Sequence, residues 1–183
     1  MRFNRERKRK SQEKSAVKRL ILDWVIPIIA ALVIAGIINK FVLFKVYIPS
    51  LSMYPTLDEG DQLFVTRIYN TNKIERGDIL VFESEELGQL LIKRVVGLPG
   101  DQVEISNGTL IVNGETIEEN YVVYDQNINR MFQVPEEKYL FLGDNRANSN
   151  DSRYWDDPYI DGDAIEGKAQ VRIFPFSKIG FID

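Results

Sequence analysis

A long apolar run near the N-terminus constrains the fold of this chain more than any other feature. It extends from Leu20 to Ile38, 19 residues in which Asp23 and Pro27 are the only departures from apolar character. As an α-helix with a rise of about 1.5 Å per residue, the run would span roughly 28 Å, close to the ~30 Å hydrocarbon core of a bilayer. Because it has no polar face, a buried helix of a soluble protein is the weaker interpretation. The sequence therefore predicts one transmembrane helix over residues 20–38.

The charges that flank this run predict its orientation. Residues 1–19 carry nine Lys and Arg against two Glu, a net charge of +7, which leaves −11 for the rest of a chain whose total is −4. Positive charge marks the cytoplasmic side of a membrane helix. We therefore expect a cytoplasmic basic tail over residues 1–19 and an extracellular domain over residues 39–183, in a single-pass protein of the cell membrane. Nucleic-acid binding is the alternative use of a basic tail, and the adjoining apolar run disfavours it.

A cleavable signal peptide is the alternative interpretation of the run itself. Its length of 19 residues exceeds the 7–15 that are typical of the apolar core of a signal peptide. We therefore expect an anchor that is not cleaved.

Beyond residue 40 the pattern changes to short runs rich in β-branched and aromatic residues. Gly, Asp and Asn separate these runs, which are residues 41–48, 62–69, 78–83, 89–97, 138–143 and 165–176. The pairs Asn107-Gly108 and Asn113-Gly114 predict two tight hairpins, because both residue types tolerate positive φ. Residues 119–136 show no clean period and are interpreted as a loop. The sequence predicts a mainly β protein, a single transmembrane helix followed by a compact all-β domain.

The chain contains no cysteine and no histidine, which limits the chemistry it can perform. Disulfides, thiolate metal sites and an imidazole base are excluded. A nucleophilic serine would need lysine as its base, and that lysine must be neutral to accept a proton. Lys93, in QLLIKRVVG, is the lysine most closely flanked by apolar residues in this domain. Burial there must lower its pKa from about 10.4 to about 8 for it to serve as a base.

Two serines in IPSLSMYPTL are candidates for the complementary roles. Ser52 is the candidate nucleophile, and Ser50 projects in the same direction if the segment is extended. The Ser50 hydroxyl can then join the Ser52 backbone N–H in holding a developing oxyanion. A local turn hydrogen bond is the alternative role for Ser50, and an exposed position on a strand is the alternative for Lys93.

Four motifs then resemble bacterial type I signal peptidases, in the same order and with similar spacing. They are IPSLSMYPTL (48–57), RGDILVF (76–82), IKRVVGLPGD (92–101) and GDNRANSNDSR (143–153). The likeness extends from the apolar run to VRIFPFSKIG and is greatest for the single-anchor, Gram-positive-like form of these Ser/Lys serine proteases. It implies a membrane-bound serine endopeptidase that removes signal peptides from exported preproteins by cleaving after small residues in an A-x-A pattern.

The resemblance also implies the site residues. Ser52 is similar to the family's nucleophile, Lys93 to its general base, and Ser50 with Ser52 to its oxyanion hole. Ser149 matches the serine that orients the lysine amine, and the charged residues expected to support the site are Asp151, Arg153, Arg94 and Asp144. The residues expected to bind the substrate as an added strand are Ile48, Pro49, Leu90, Leu91 and Ile92. No metal or cofactor is expected, and the expected partners are preproteins and the phospholipid membrane, with no nucleic acid.

Two other functions remain open from the sequence. A LexA-like self-cleaving protease uses the same Ser/Lys logic, but such proteins are soluble and carry a DNA-binding domain. A catalytically inactive, membrane-tethered β-domain would be a binding module, and its function would not depend on Ser52 or Lys93.

Overall fold

A helix with no buried side chain forms the N-terminal part of the structure. The computed structural model describes residues 18–19 and 21–182, so most of the predicted basic tail lies outside the described residues. A π-helical turn, Ile21–Val25, leads into helix α1, Ile26–Phe41. Pro27 lies in the first turn of α1, directly after the π-helical turn. The segment Leu22–Phe41 is long and apolar enough to cross a membrane by length and composition.

The predicted helix is confirmed, and it continues three residues beyond Ile38, to Phe41. The chain divides into two units between Val42 and Leu43. The second unit is built from strands and short 3₁₀ turns, which confirms the predicted fold class.

Twelve strands lie within the described residues. In chain order they are β1 (Leu43–Tyr47), β2 (Gln62–Arg67), β3 (Ile79–Ser84), β4 (Gln89–Gly97), β5 (Gln102–Ser106), β6 (Thr109–Val112), β7 (Glu115–Thr116), β8 (Arg130–Gln133), β9 (Lys138–Leu142), β10 (Tyr159–Asp161), β11 (Ile165–Phe174) and β12 (Gly180–Phe181). Four 3₁₀ turns lie between them, namely Thr71–Lys73, Arg146–Asn148, Gly162–Ala164 and Phe176–Lys178.

The strands form two antiparallel sheets. The larger has the order β1-β2-β11-β3-β4-β9-β10, with β12 paired to β11, and the smaller has the order β7-β6-β5-β8. Both predicted hairpins are present in the smaller sheet, since Ser106 pairs with Thr109 and Val112 with Glu115. The Asn-Gly pairs between them have positive φ at all four residues, as a tight turn with the strand twist requires.

Three strands were not predicted from the sequence. The prediction of a loop over residues 119–136 is wrong for β8, because Arg130–Gln133 pairs with β5. The sequence pattern misses β8 because it is a short edge strand in which only Phe132 is buried. The strands β10 and β12 have three and two residues, too few to show any period.

The larger sheet carries the core beneath the candidate site. Phe82 of β3 stacks on Phe141 of β9, with ring centroids 4.2 Å apart, at the centre of one buried cluster. A second buried cluster lies between β4 and β9 and the smaller sheet. There Gly97 is required by close packing, since a Cβ at this position would lie 2.9 Å from the Cβ of Leu140. This packing fixes β4, the strand that carries Lys93, between β3 and β9.

Candidate active site

Apolar side chains hold the segment that carries Ser52. We call residues 48–57 the Ser52 segment; its Ile48, Met53 and Leu57 are buried in a cluster with residues of β2, β3 and β11. Two backbone hydrogen bonds join the start of the segment to the residues that follow it. The Ile48 N–H donates to the Asp61 carbonyl at 2.9 Å, and the Ile48 carbonyl accepts from the Gly60 N–H at 2.9 Å. Anchors on both sides of Ser52 therefore fix the position of its backbone.

Lys93 meets Ser52 inside the protein. Its side chain is 4% exposed, and its Nζ donates a hydrogen bond of 2.6 Å to Ser52 Oγ. Burial lowers the pKa of Lys93 to about 8, against the opposing attraction of Asp151 and Asp144. At neutral pH about a tenth of such a lysine is already neutral. The pair therefore has the contact and the proton affinity that a nucleophile and its general base require.

Ser50 lies beside this pair. Its Oγ is 3.3 Å from Ser52 Oγ, and either hydroxyl can be the donor. Within the described residues the Ser52 backbone N–H donates to no hydrogen bond, so it is available to an oxyanion. The two donors expected for an oxyanion hole thus belong to one short stretch of chain.

A buried loop of charged residues supports the pair from the other side. We call residues 143–153 the charged loop. Arg94, from β4, donates to both carboxylate oxygens of Asp144, at 2.9 and 2.8 Å. Within the loop, Arg153 donates to both oxygens of Asp151, at 2.7 and 2.9 Å. All four side chains are buried, so each charge lost from water is matched by a direct partner.

Backbone contacts join the charged loop to the Ser52 segment. The Asn145 N–H donates to the Ser52 carbonyl at 3.1 Å, and Asn145 Nδ2 donates to the Leu51 carbonyl at 3.1 Å. Thr56 Oγ1 donates to Asp144 at 2.5 Å. Ser52 is thus held by its own segment and by the loop that contains Asp144 and Asp151.

Ser149 lies in the charged loop but makes no hydrogen bond to Lys93. It is 7% exposed, and among the described residues its Oγ has no hydrogen-bond partner. It packs against Gly143, where a Cβ would lie 2.2 Å from Ser149 Oγ and 2.4 Å from the Ser52 carbonyl oxygen. The structure brings Ser149 next to the backbone of Ser52, and the role in orienting the lysine remains a prediction.

An apolar cleft of roughly 270 Å³ opens onto Ser52 and Lys93. All five residues expected to bind substrate line it, together with three that the sequence did not suggest, Val46, Tyr47 and Val81. The cleft lies between the end of β1 and the first half of β4, where the side chains are partly exposed. An extended peptide can lie between these two stretches with a carbonyl near Ser52.

Several residues at the site were not predicted from the sequence. Gly143, Asn145 and Arg146 belong to the motif GDNRANSNDSR, so the resemblance contained a signal for them. Glu119 and Tyr121 carry no such signal, because they lie in the stretch interpreted as a loop without a period. Both contact buried arginines of the site. Glu119 pairs with Arg146, and the Tyr121 ring lies against Arg94.

Comparison with known proteins identifies a matching family and several similar proteins. A family described as signal peptidase, peptidase S26, matches residues 21–174. Signal peptidase I of Leptolyngbya laminosa is 39% identical over 170 residues, 87% of this chain and 83% of that protein. Signal peptidase IB of Staphylococcus aureus strain COL is 39% identical over 182 residues, 88% of this chain and 94% of that protein. A crystal structure of a signal peptidase I from Enterococcus faecalis V583 is 35% identical, covering 52% of this chain and 96% of that one with a TM-score of 0.47.

These findings define first a class of enzyme, a serine endopeptidase with a mainly β domain. The chain belongs to the signal peptidase family, peptidase S26, because the family match spans most of its length. The relatives support the function of a signal peptidase I. The family predicted from the four motifs is thereby confirmed.

Proposed function

We propose that Ser52 and Lys93 form a catalytic dyad that cleaves signal peptides from exported preproteins. The observation that carries this proposal is the 2.6 Å contact between Lys93 Nζ and Ser52 Oγ, in a chain without histidine. The lowered pKa of Lys93, about 8, supports the role of a base that is neutral often enough to act.

The proposed reaction has two halves. The neutral Lys93 amine takes the proton of Ser52 as Oγ attacks the scissile carbonyl carbon, and the Ser52 N–H and the Ser50 hydroxyl stabilise the oxyanion. The Lys93 ammonium then protonates the leaving amine, which departs as the new N-terminus and leaves an ester on Ser52. Water attacks this ester as Lys93 takes its proton. The Lys93 ammonium returns that proton to Ser52 Oγ as the ester bond breaks, and the signal peptide departs as a carboxylic acid that ionises in water. Every proton moves between side chains, water and substrate, so no metal or cofactor is needed.

The cleft supports a preference for small side chains, the A-x-A pattern. Its volume is roughly 270 Å³, and Ile48, Leu91 and Ile92 form part of its lining. Several residues of an extended substrate would have to share this volume. A peptide added as a strand presents alternate side chains to the same wall, so two positions two apart meet the cleft. Small residues at those two positions fit a shallow apolar wall best.

The helix at the N-terminus supports attachment to the membrane in which the substrates reside. In the proposed organisation, residues 1–19 lie in the cytoplasm, residues 20–38 span the bilayer, and residues 39–183 act outside the cell. Tethering raises the effective concentration of the site near substrates anchored in the same membrane.

The test uses the purified full-length protein in detergent and a preprotein with A-x-A before its mature end. Ser52→Ala and Lys93→Ala are compared with the wild type and with Ser177→Ala and Lys73→Ala, which alter exposed residues. We expect the wild type and both controls to cut after the second alanine, as shown by N-terminal sequencing, and the two dyad variants to be inactive. A folded wild type that cuts nothing would favour the inactive binding module, and cleavage by Ser52→Ala would overturn the dyad.

A further inference from the structure

A stretch of chain without regular structure lies across the charged loop. We call residues 118–126 the strap; it follows β7 and precedes β8. It contacts the site region at four places along its length. These contacts are Glu119 with Arg146, Tyr121 with Arg94, Tyr124 with Ala147 and Tyr54, and Gln126 with Arg153.

The first contact is a buried ion pair of favourable geometry. Arg146 donates to both oxygens of Glu119, at 2.5 and 2.8 Å, and the two side chains are 2% and 8% exposed. Burial disfavours the charged form of Arg146, but the bonds and charge of Glu119 outweigh it and raise the pKa of Arg146. Such a fork-to-fork pair fixes direction as well as distance, because two parallel bonds must form together.

Arg146 carries this constraint to the nucleophile. Its Nε donates to the Gly143 carbonyl at 3.1 Å, while the Gly143 N–H donates to Asp151 at 2.9 Å. Gly143 in turn packs so closely on the Ser52 carbonyl oxygen and on Ser149 that no larger residue fits there. A displaced Arg146 would therefore move Gly143, which packs against both the Ser52 carbonyl and Ser149.

The second contact reaches the same region through Lys93's neighbour on β4. The Arg94 guanidinium lies 3.8 Å from the centroid of the Tyr121 ring, and Tyr121 Oη donates to Glu119 at 2.6 Å. Burial and the charge of Glu119 raise the pKa of Tyr121, so its hydroxyl keeps the proton that this bond requires. Tyr121 thus covers the Arg94–Asp144 pair and links it to the Glu119–Arg146 pair.

We propose that Glu119 and Tyr121 are positioning residues, which hold the backbone of Gly143 and the Arg94–Asp144 pair in the arrangement that Ser52 and Lys93 need. The inference rests on the proposed dyad. Neither residue lines the cleft, so they act through Arg146 and Arg94 and do not touch the substrate.

The test separates positioning from simple stabilisation. Glu119→Gln and Tyr121→Phe are compared with the wild type, with Ser52→Ala and with the matched control Glu166→Gln, which removes the charge of a half-exposed Glu–Arg pair with a 2.6 Å contact. Steady-state cleavage is measured at a temperature at which circular dichroism shows every variant to be folded. We expect kcat to fall about 10²-fold in Glu119→Gln and about fivefold in Tyr121→Phe, with KM within twofold of wild type and Glu166→Gln unchanged.

One further variant, a double substitution, tests whether Glu119 acts through Arg146. In the double variant Glu119→Gln, Arg146→Gln we expect no further loss of kcat beyond that of Glu119→Gln, because both changes release the same contact to Gly143. If Glu119→Gln does not fold, Tyr121→Phe, which keeps the ring on Arg94, decides the matter alone. Full kcat in a folded variant with a lower melting temperature, or a change confined to KM, would overturn the positioning role. Activity in Ser52→Ala would instead refute the dyad itself.

Discussion

The Ser52 segment and the charged loop hold the proposed catalytic pair, Ser52 and Lys93, by opposite physical means. The Ser52 segment is anchored by apolar side chains, Ile48, Met53 and Leu57, whose packing tolerates small changes in proportion to the volume lost. The charged loop is anchored by buried ion pairs, and removing one partner leaves an uncompensated charge. The stability lost from apolar packing grows with the volume removed and depends little on direction. The stability lost from an ion pair depends on geometry and is large as soon as one partner is removed. We therefore expect the two regions to respond very differently to substitution.

The difference has a functional use. A nucleophile needs a fixed backbone, which packing on both sides of Ser52 supplies. A lysine base needs a lowered pKa, and an excess of negative charge beside it would raise that pKa. Here three buried carboxylates are each paired with a buried arginine. These are Arg94 with Asp144, Arg146 with Glu119, and Arg153 with Asp151. Burial is the largest influence on the pKa of Lys93 and lowers it, while the charges of Asp151 and Asp144 act in the opposite direction.

The largest expected effect comes from breaking an ion pair of the charged loop. Asp144→Asn preserves shape but removes the carboxylate that pairs with the buried Arg94 guanidinium. We expect the free energy of unfolding to fall by about 3–5 kcal/mol, measured by thermal or urea unfolding of the full-length protein in detergent. The matched control is Asp58→Asn, whose partner Lys178 is half exposed, and we expect at most about 1 kcal/mol there. Equal losses in the two variants would contradict the contrast between buried and exposed pairs.

The next effect concerns Lys93, where the two regions meet, and it appears as a dependence of stability on pH. The pKa of Lys93 is about 8 in the folded protein, against an ordinary value of 10.5. Between these values the unfolded chain binds the proton more tightly, so stability must rise with pH from about 8 upward. From pH 7 to pH 9.5 the gain is about 2 kcal/mol, since each pKa unit corresponds to about 1.4 kcal/mol.

This gain is measured as the difference between the wild type and Lys93→Met in urea unfolding at the two pH values. Subtracting the variant removes the contribution of other titrating groups, among them Tyr121, whose raised pKa acts in the opposite direction near pH 10. Identical pH dependence in the two proteins would show that Lys93 titrates as an ordinary exposed lysine.

A third effect is the pH dependence of cleavage. Because the dyad requires neutral Lys93, kcat/KM should fall about tenfold for each pH unit below about 8, a barrier change of about 1.4 kcal/mol per unit. The measurement is a kcat/KM profile between pH 6 and pH 9 with one preprotein. Lys73→Ala, at an exposed position, should show the same profile as the wild type. A flat profile would refute Lys93 as the base.

The same contrast explains how far the sequence could predict the structure. The apolar helix, the strand β4 and the two hairpins follow from local rules of hydrophobic period and turn chemistry, and all are present. The charged loop was placed only through its resemblance to a family, since charged residues in a Gly- and Asn-rich stretch show no period. The strap and β8 were missed for a related reason. Glu119 and Tyr121 acquire meaning from buried arginines that are distant in sequence, and no local pattern encodes such pairing.

The smallest effect tests the packed side of the comparison. Ile48 is buried, and its backbone closes the Ser52 segment through Asp61 and Gly60. Ile48→Val removes one methylene and leaves both backbone bonds in place, so we expect a loss of about 1 kcal/mol in unfolding free energy and a kcat within about twofold of wild type. Unfolding in urea and steady-state cleavage measure the two quantities. If this change reduced kcat as much as Glu119→Gln does, the nucleophile would depend on side-chain packing at Ile48 as strictly as on the ion pairs, and the contrast between the two regions would fail.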